Sequence, residues 1–213
     1  MAVKMSAFAG CISGILAAAY FISKGQSSKL GQKVGMFNIQ YGPKEILALA
    51  SASVAGGTLG GLISDKKQHK KAKLKEALHQ MIGNIITPLA FIVAAEKLYS
   101  KVSHKIKLPQ LPSASKFANT MNPIISKLPN FVITLGGLIS GVFVGTEIAS
   151  FFNSKLHSEH CNRKVKPRDF AFHIDDLATT FAIIDEKGAM RSILGKVVPI
   201  VFTMCGYEAG TKR

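Results

Sequence analysis

Side chains able to do chemistry gather in one stretch, Pro167-Arg-Asp-Phe-Ala-Phe-His-Ile-Asp-Asp-Leu-Ala-Thr-Thr-Phe-Ala-Ile-Ile-Asp185. Asp169, His173, Asp176 and Thr180 recur at intervals of four, three and four, which places them along one edge of an α-helix. Two carboxylates and an imidazole on one edge can bind a divalent cation, or act as acid and base on a substrate. Asp169, His173 and Asp176 are therefore the candidate metal ligands. A divalent cation is the one cofactor class the sequence suggests, and nothing in it calls for an organic cofactor. With Asp175, these groups would equip a membrane-embedded enzyme acting on lipid headgroups. Upstream, His157-Ser-Glu-His-Cys161 contains donor types that zinc accepts, without a second cluster to complete a tetrahedral site. Paired catalytic fingerprints such as H-E-x-x-H are absent from the chain.

The element that would carry these groups has a second face. Phe170, Ile174, Leu177, Phe181 and Ile184 form an apolar stripe at helical spacing, and the pattern predicts an amphipathic helix over 167–186. Pro167 suits its first turn and Gly188 its stop. Lying on a membrane surface, such a helix turns its acids to water and to the neighbouring Lys166 and Arg168. The surface-helix reading outweighs the site reading, and a non-enzymatic protein is preferred.

A membrane follows from the segregation of charge. Charged residues are missing between Lys4 and Lys24, Glu45 and Asp65, Glu76 and Glu96, and Lys127 and Glu147, a gap of 19 residues in each case. At ~1.5 Å per residue each gap covers roughly 28 Å of helix, about one hydrocarbon core. Mean hydropathy is only +0.24 because the connecting segments are strongly basic. The first span, Met5 to Ser23, is too long for a signal-peptide core and is read as retained.

One heptapeptide occurs twice, as Thr58-Leu-Gly-Gly-Leu-Ile-Ser64 and Thr134-Leu-Gly-Gly-Leu-Ile-Ser140. Downstream, Ala77-Leu-His-Gln-Met-Ile-Gly83 with Pro88 and Phe91 resembles Ala189-Met-Arg-Ser-Ile-Leu-Gly195 with Pro199 and Phe202. The expected fold is all-α: a polytopic helical membrane protein of about five transmembrane helices, in two parallel two-span repeats plus one leading helix. It forms one membrane domain, 1–213. Residues 1–42 are the leading span and an irregular connector, 43–100 unit one, and 128–213 unit two, with the 167–186 helix inserted.

Small residues mark where these helices should touch. Gly56, Gly57, Gly60 and Gly61 in the second span, and Gly137, Gly141 and Gly145 in the fourth, recur at helical spacing and predict close helix packing. Gly10 and Gly14 smooth the first span in the same way. Pro88 and Pro199 predict helix kinks, the first near Asn84 to Pro88.

The net charge of +15 directs partner choice. Lysines flank apolar spans and do not alternate with aromatics, so the expected partner is a bilayer with anionic headgroups and not nucleic acid. Glycine faces also allow a homo-oligomer. The run Lys66, Lys67, Lys70, Lys71, Lys73 and Lys75 reads as a solvated cytoplasmic anchor. Alternating spans then place the N-terminus, the 65–76 loop and the 153–191 loop on the cytoplasmic face. The expected location is a bacterial cytoplasmic membrane, with an organelle membrane as the alternative. The activity expected is that of a scaffold, oligomeric channel or transport component.

Overall fold

The computed structural model describes residues 1–36, 38–106, 108–112, 116–157 and 189–213. Asp169, His173 and Asp176, with the helix predicted over 167–186, lie outside those residues. Every regular element among the described residues is a helix, and four helical segments are long and apolar enough to cross a membrane: Ala2–Leu30, Pro43–Ser64, Lys67–Val102 and Ile124–Leu156.

Helix α1, Ala2–Leu30, runs past the expected end at Ser23 and through Gly25, stopping at Gly31 in a left-handed conformation, φ 65°. Its last turns persist because their polar side chains hold the connector. Ser23 Oγ donates to Val34 O at 2.6 Å, Val34 N–H donates to Ser27 Oγ at 2.9 Å, and Gln26 exchanges two bonds with the backbone of Gln40. Helix α2, Pro43–Ser64, keeps the limits read from the sequence, with Pro43 in its first turn. Glu45 closes that turn by accepting the Gly42 N–H at 3.2 Å.

The basic run, expected to be a loop, is largely helical, and Lys73 in it is buried. After a 3-10 turn at Lys67–His69, helix α3 starts at Lys70 and continues to Met81, passes through a π-helical turn at Ile82–Ile86, and goes on as α4, Thr87–Val102. The π turn answers Pro88. A proline ring collides with the carbonyl four residues back, here that of Asn84, and a wider turn relieves the collision. The Thr87 N–H accordingly reaches back five residues to Ile82 O. Helix α5, Lys116–His157, begins before Pro123 and Pro129, not after them. Asn122 on α5 fixes the preceding connector by bonding both N–H and C=O of Leu111, at 2.8 and 3.0 Å. Helix α6, Ala189–Thr211, contains Pro199 in its interior.

Helix α2 packs on two neighbours at once. Gly56 and Gly60 turn toward α1, where a Cβ would run into the carbonyls of Gly10 and Ser6. Gly57 and Gly61 turn toward α6, where it would meet the carbonyls of Gly206 and Gly210. Ser6 Oγ donates to Gly60 O at 2.9 Å, and Ser53 Oγ to Phe202 O at 2.6 Å, fastening each pair. On α5, Gly137, Gly141 and Gly145 lie against Phe91, Pro88 and Gly83. Gly136 meets nothing within 4 Å.

These pairings set directions. Gly10 with Gly56 and Ser6 with Gly60 make α1 and α2 antiparallel; Gly57 with Gly206 and Gly61 with Gly210 make α2 and α6 parallel. Gly145 with Gly83 and Gly137 with Ala95 make α5 antiparallel to α3 and α4. The start of α1, the end of α2, the start of α3 and the ends of α5 and α6 therefore share one end of the bundle, called here the Asp65 end. This corrects the alternating topology. Helix α5 finishes at the Asp65 end while α6 starts at the opposite one.

Candidate functional site

Along α3 and into the π turn that follows it, a row of polar side chains points into the bundle. Lys73, Glu76, Gln80 and Asn84 stand three, four and four residues apart, so they share one helical face, and all four are buried. Lys73 and Gln80 are fully so, at 0% exposure. That face rests on the last turns of α6, which bring Glu208 and Lys212 against it.

The bonds form a ladder. At its outer end Lys73 Nζ lies 2.8 Å from Asp65 Oδ2 and donates to Lys212 O at 2.8 Å. Lys212 Nζ pairs with Glu76 Oε2 at 2.9 Å. One rung deeper, Gln80 Nε2 donates to Glu76 Oε1 at 2.9 Å and to Glu208 Oε2 at 3.0 Å, so one amide nitrogen joins two carboxylates from different helices. Gln80 Oε1 accepts from Asn84 Nδ2 at 2.9 Å. There the chain of bonds stops. Asn84 Oδ1 has no hydrogen-bond partner among the described residues, although Asn84 is only 2% exposed. From Lys73 to Asn84 is eleven residues, about 16 Å of helix, or half a hydrocarbon core.

Two further polar groups adjoin the ladder. His79 is buried, its ring 3.3 Å from where a Cβ on Gly83 would stand, and a larger residue at 83 would displace it. Asn153 on α5 donates to Lys75 O at 3.1 Å, while its Oδ1 has no hydrogen-bond partner among the described residues. At the outer end, the Lys73 ammonium, with the Lys66 N–H, holds the Asp65 carboxyl below its ordinary value of 3.8. Among the described residues there is no grouping of three or more His, Cys, Asp or Glu side chains able to hold a metal ion.

Sequence reading missed this site because the lysine run carries the signature of a solvated anchor. The signal present was the spacing of Glu76, Gln80 and Asn84, which puts three hydrogen-bonding side chains in line at the start of an apolar span. Comparisons with family models, curated proteins and solved structures find no match for the chain.

Proposed function

We propose that this is a non-enzymatic integral membrane protein serving as a transport component, in which the α3 ladder carries a polar species through its half of the bundle. One observation carries the reading: charged and amide groups joined by hydrogen bonds are buried between α3 and α6 and end on an unsatisfied amide oxygen where the chain enters its apolar span. Buried polar groups are costly unless paired, and ionisable groups inside membrane helices commonly mark ion or substrate routes. The glycine faces act as the scaffold, since close backbone approach leaves α2, α5 and α6 little freedom to reorient.

Duplication is part of the same proposal, limited to the heptapeptide helices. Helices α2 and α5 run in one direction and use the second glycine of the pair, Gly61 or Gly137, against a neighbour. Helices α4 and α6 run in opposite directions, so the downstream resemblance does not extend the duplication to them. The lipid-headgroup enzyme rests on Asp169, His173 and Asp176, outside the described residues, and is not proposed.

Flux through vesicles containing purified protein tests the reading, with trapped pH- and potassium-sensitive dyes. Wild-type protein should raise the leak of at least one ion well above that of empty vesicles, and Asn84→Leu should abolish it while keeping native helicity. Flux equal to that of empty vesicles for both ions would remove transport and leave the scaffold alone.

A further inference from the structure

A groove of about 970 Å³ runs between α1 and α6 on the side facing away from α2. Its origin is the doubled use of α2. Consecutive positions on a helix point about 100° apart. A neighbour seated on Gly56 and Gly60 and another seated on Gly57 and Gly61 therefore diverge outward and leave a V between them. Phe8, Ile12 and Leu16 form one wall and Ile200 and Met204 the other, all exposed, with Ile15 among the residues that line it.

We infer that this groove binds one acyl chain of an anionic phospholipid, with the lipid phosphate at Lys4. Length is the first argument. From Lys4 to Leu16 is twelve residues, about 18 Å of helix, close to one leaflet of a ~30 Å hydrocarbon core. The walls thus match a single chain from one leaflet and fall short of a membrane-spanning partner helix.

Charge is the second argument. The groove is apolar along most of its length, the Thr203 hydroxyl being spent on Pro199 O, and its charged groups gather at the Asp65 end, where Lys4, Tyr207, Glu208 and Thr211 line the mouth. Lys4 is exposed and has no ion-pair partner among the described residues, whereas the Glu208 carboxylate accepts from Gln80 on α3. Lys66, Lys67 and Lys70 are exposed at the same end and raise the positive potential there. A headgroup phosphate at that depth meets a free ammonium while its chain covers the exposed apolar walls. The inference rests on the bundle lying in a bilayer and is independent of whether the ladder conducts.

The chain has no tryptophan, so one can be introduced as a local reporter. Leu16→Trp places it at the deep end of the groove. Phe143→Trp places it on exposed α5 at a matching distance from Lys155, whose ammonium is already engaged over the Phe151 ring, 5.2 Å from the centroid. Both proteins go into phosphatidylcholine vesicles with increasing phosphatidylglycerol brominated on its acyl chains, and fluorescence quenching is read. Leu16→Trp should reach half-quenching at a mole fraction about fivefold lower than Phe143→Trp, the preference one lysine near a surface confers. Adding Lys4→Gln should remove that difference. Equal quenching at both positions would mean ordinary annular lipid, and no quenching of Leu16→Trp would mean protein fills the groove. A preference that survives Lys4→Gln would place the headgroup elsewhere, and each of these three results overturns the inference.

Discussion

Gln80 joins Glu76, Glu208 and Asn84, and two of those three are carboxylates on different helices. Gln80→Leu keeps the volume and leaves all three short of a bond inside the bundle. Each lost partner costs roughly 1–3 kcal/mol, more where the group is charged, so a loss of at least about 3 kcal/mol is expected in unfolding from detergent micelles. Asn84→Leu should cost under about 1 kcal/mol, because the one hydrogen bond lost, to Gln80, is offset by removal of an unsatisfied buried acceptor. Similar losses for both would show that Gln80 is not the hub. Asp65 supplies a pH test. Its folded pKa is lowered chiefly by Lys73, so its contribution is present above the unfolded value of 3.8 and is lost as pH falls through the lower folded value. Wild-type melting temperature should fall below about pH 4, and Asp65→Asn should lose that part of the acid sensitivity.

At the scale of elements, glycine decides which helices can meet. A Cβ on Gly141 would stand 2.6 Å from Pro88 Cα and 3.0 Å from Phe91 Cβ, so a side chain there must push α4 and α5 apart. Gly141→Leu should destabilise the protein by ~1–3 kcal/mol through overpacking, whereas Gly136→Leu, facing open space, should stay within about ±0.5 kcal/mol. Thermal unfolding of the two variants side by side checks this, and equal behaviour would mean that α4 and α5 can separate freely. The same helices show why Pro88 does not break the span: the π turn at Ile82–Ile86 absorbs the ring, and buried Thr87 and Pro88 keep the bend packed against α5.

For the whole molecule, helix direction is the consequential result. Because α6 runs parallel to α2, the C-terminus lies at the Asp65 end with the start of α1, and Lys212 bonds Glu76 there. Single cysteines at Lys67 and Arg213, in a background where Cys161 is Ser, should be labelled from one side of the membrane by an impermeant maleimide. A cysteine at Lys44 or Lys101 should be labelled from the other side only. Labelling of Arg213→Cys together with Lys44→Cys would reverse the direction of α6.

By itself the sequence determined which stretches are helical and apolar, because charge exclusion over 19-residue gaps is a local requirement of hydrocarbon. It located α2 to the residue, since Pro43 and Asp65 are local start and stop signals. It also picked out glycines at helical spacing, though not which neighbour each would face. Helix continuation through Gly25, Pro123 and Pro129 was illegible, because hydrogen bonds from distant connector residues outweigh local breaking propensity there. The lysine run misled for a related reason. Lys73 carries the same charge as Lys66, and only the arrival of Asp65 and the backbone carbonyl of Lys212 makes its burial tolerable. The direction of α6 was likewise beyond reach, since hydropathy is unchanged when a span is reversed. Tertiary structure decided it through the register of Gly57 with Gly206 and Gly61 with Gly210, the alignment that lets two backbones touch.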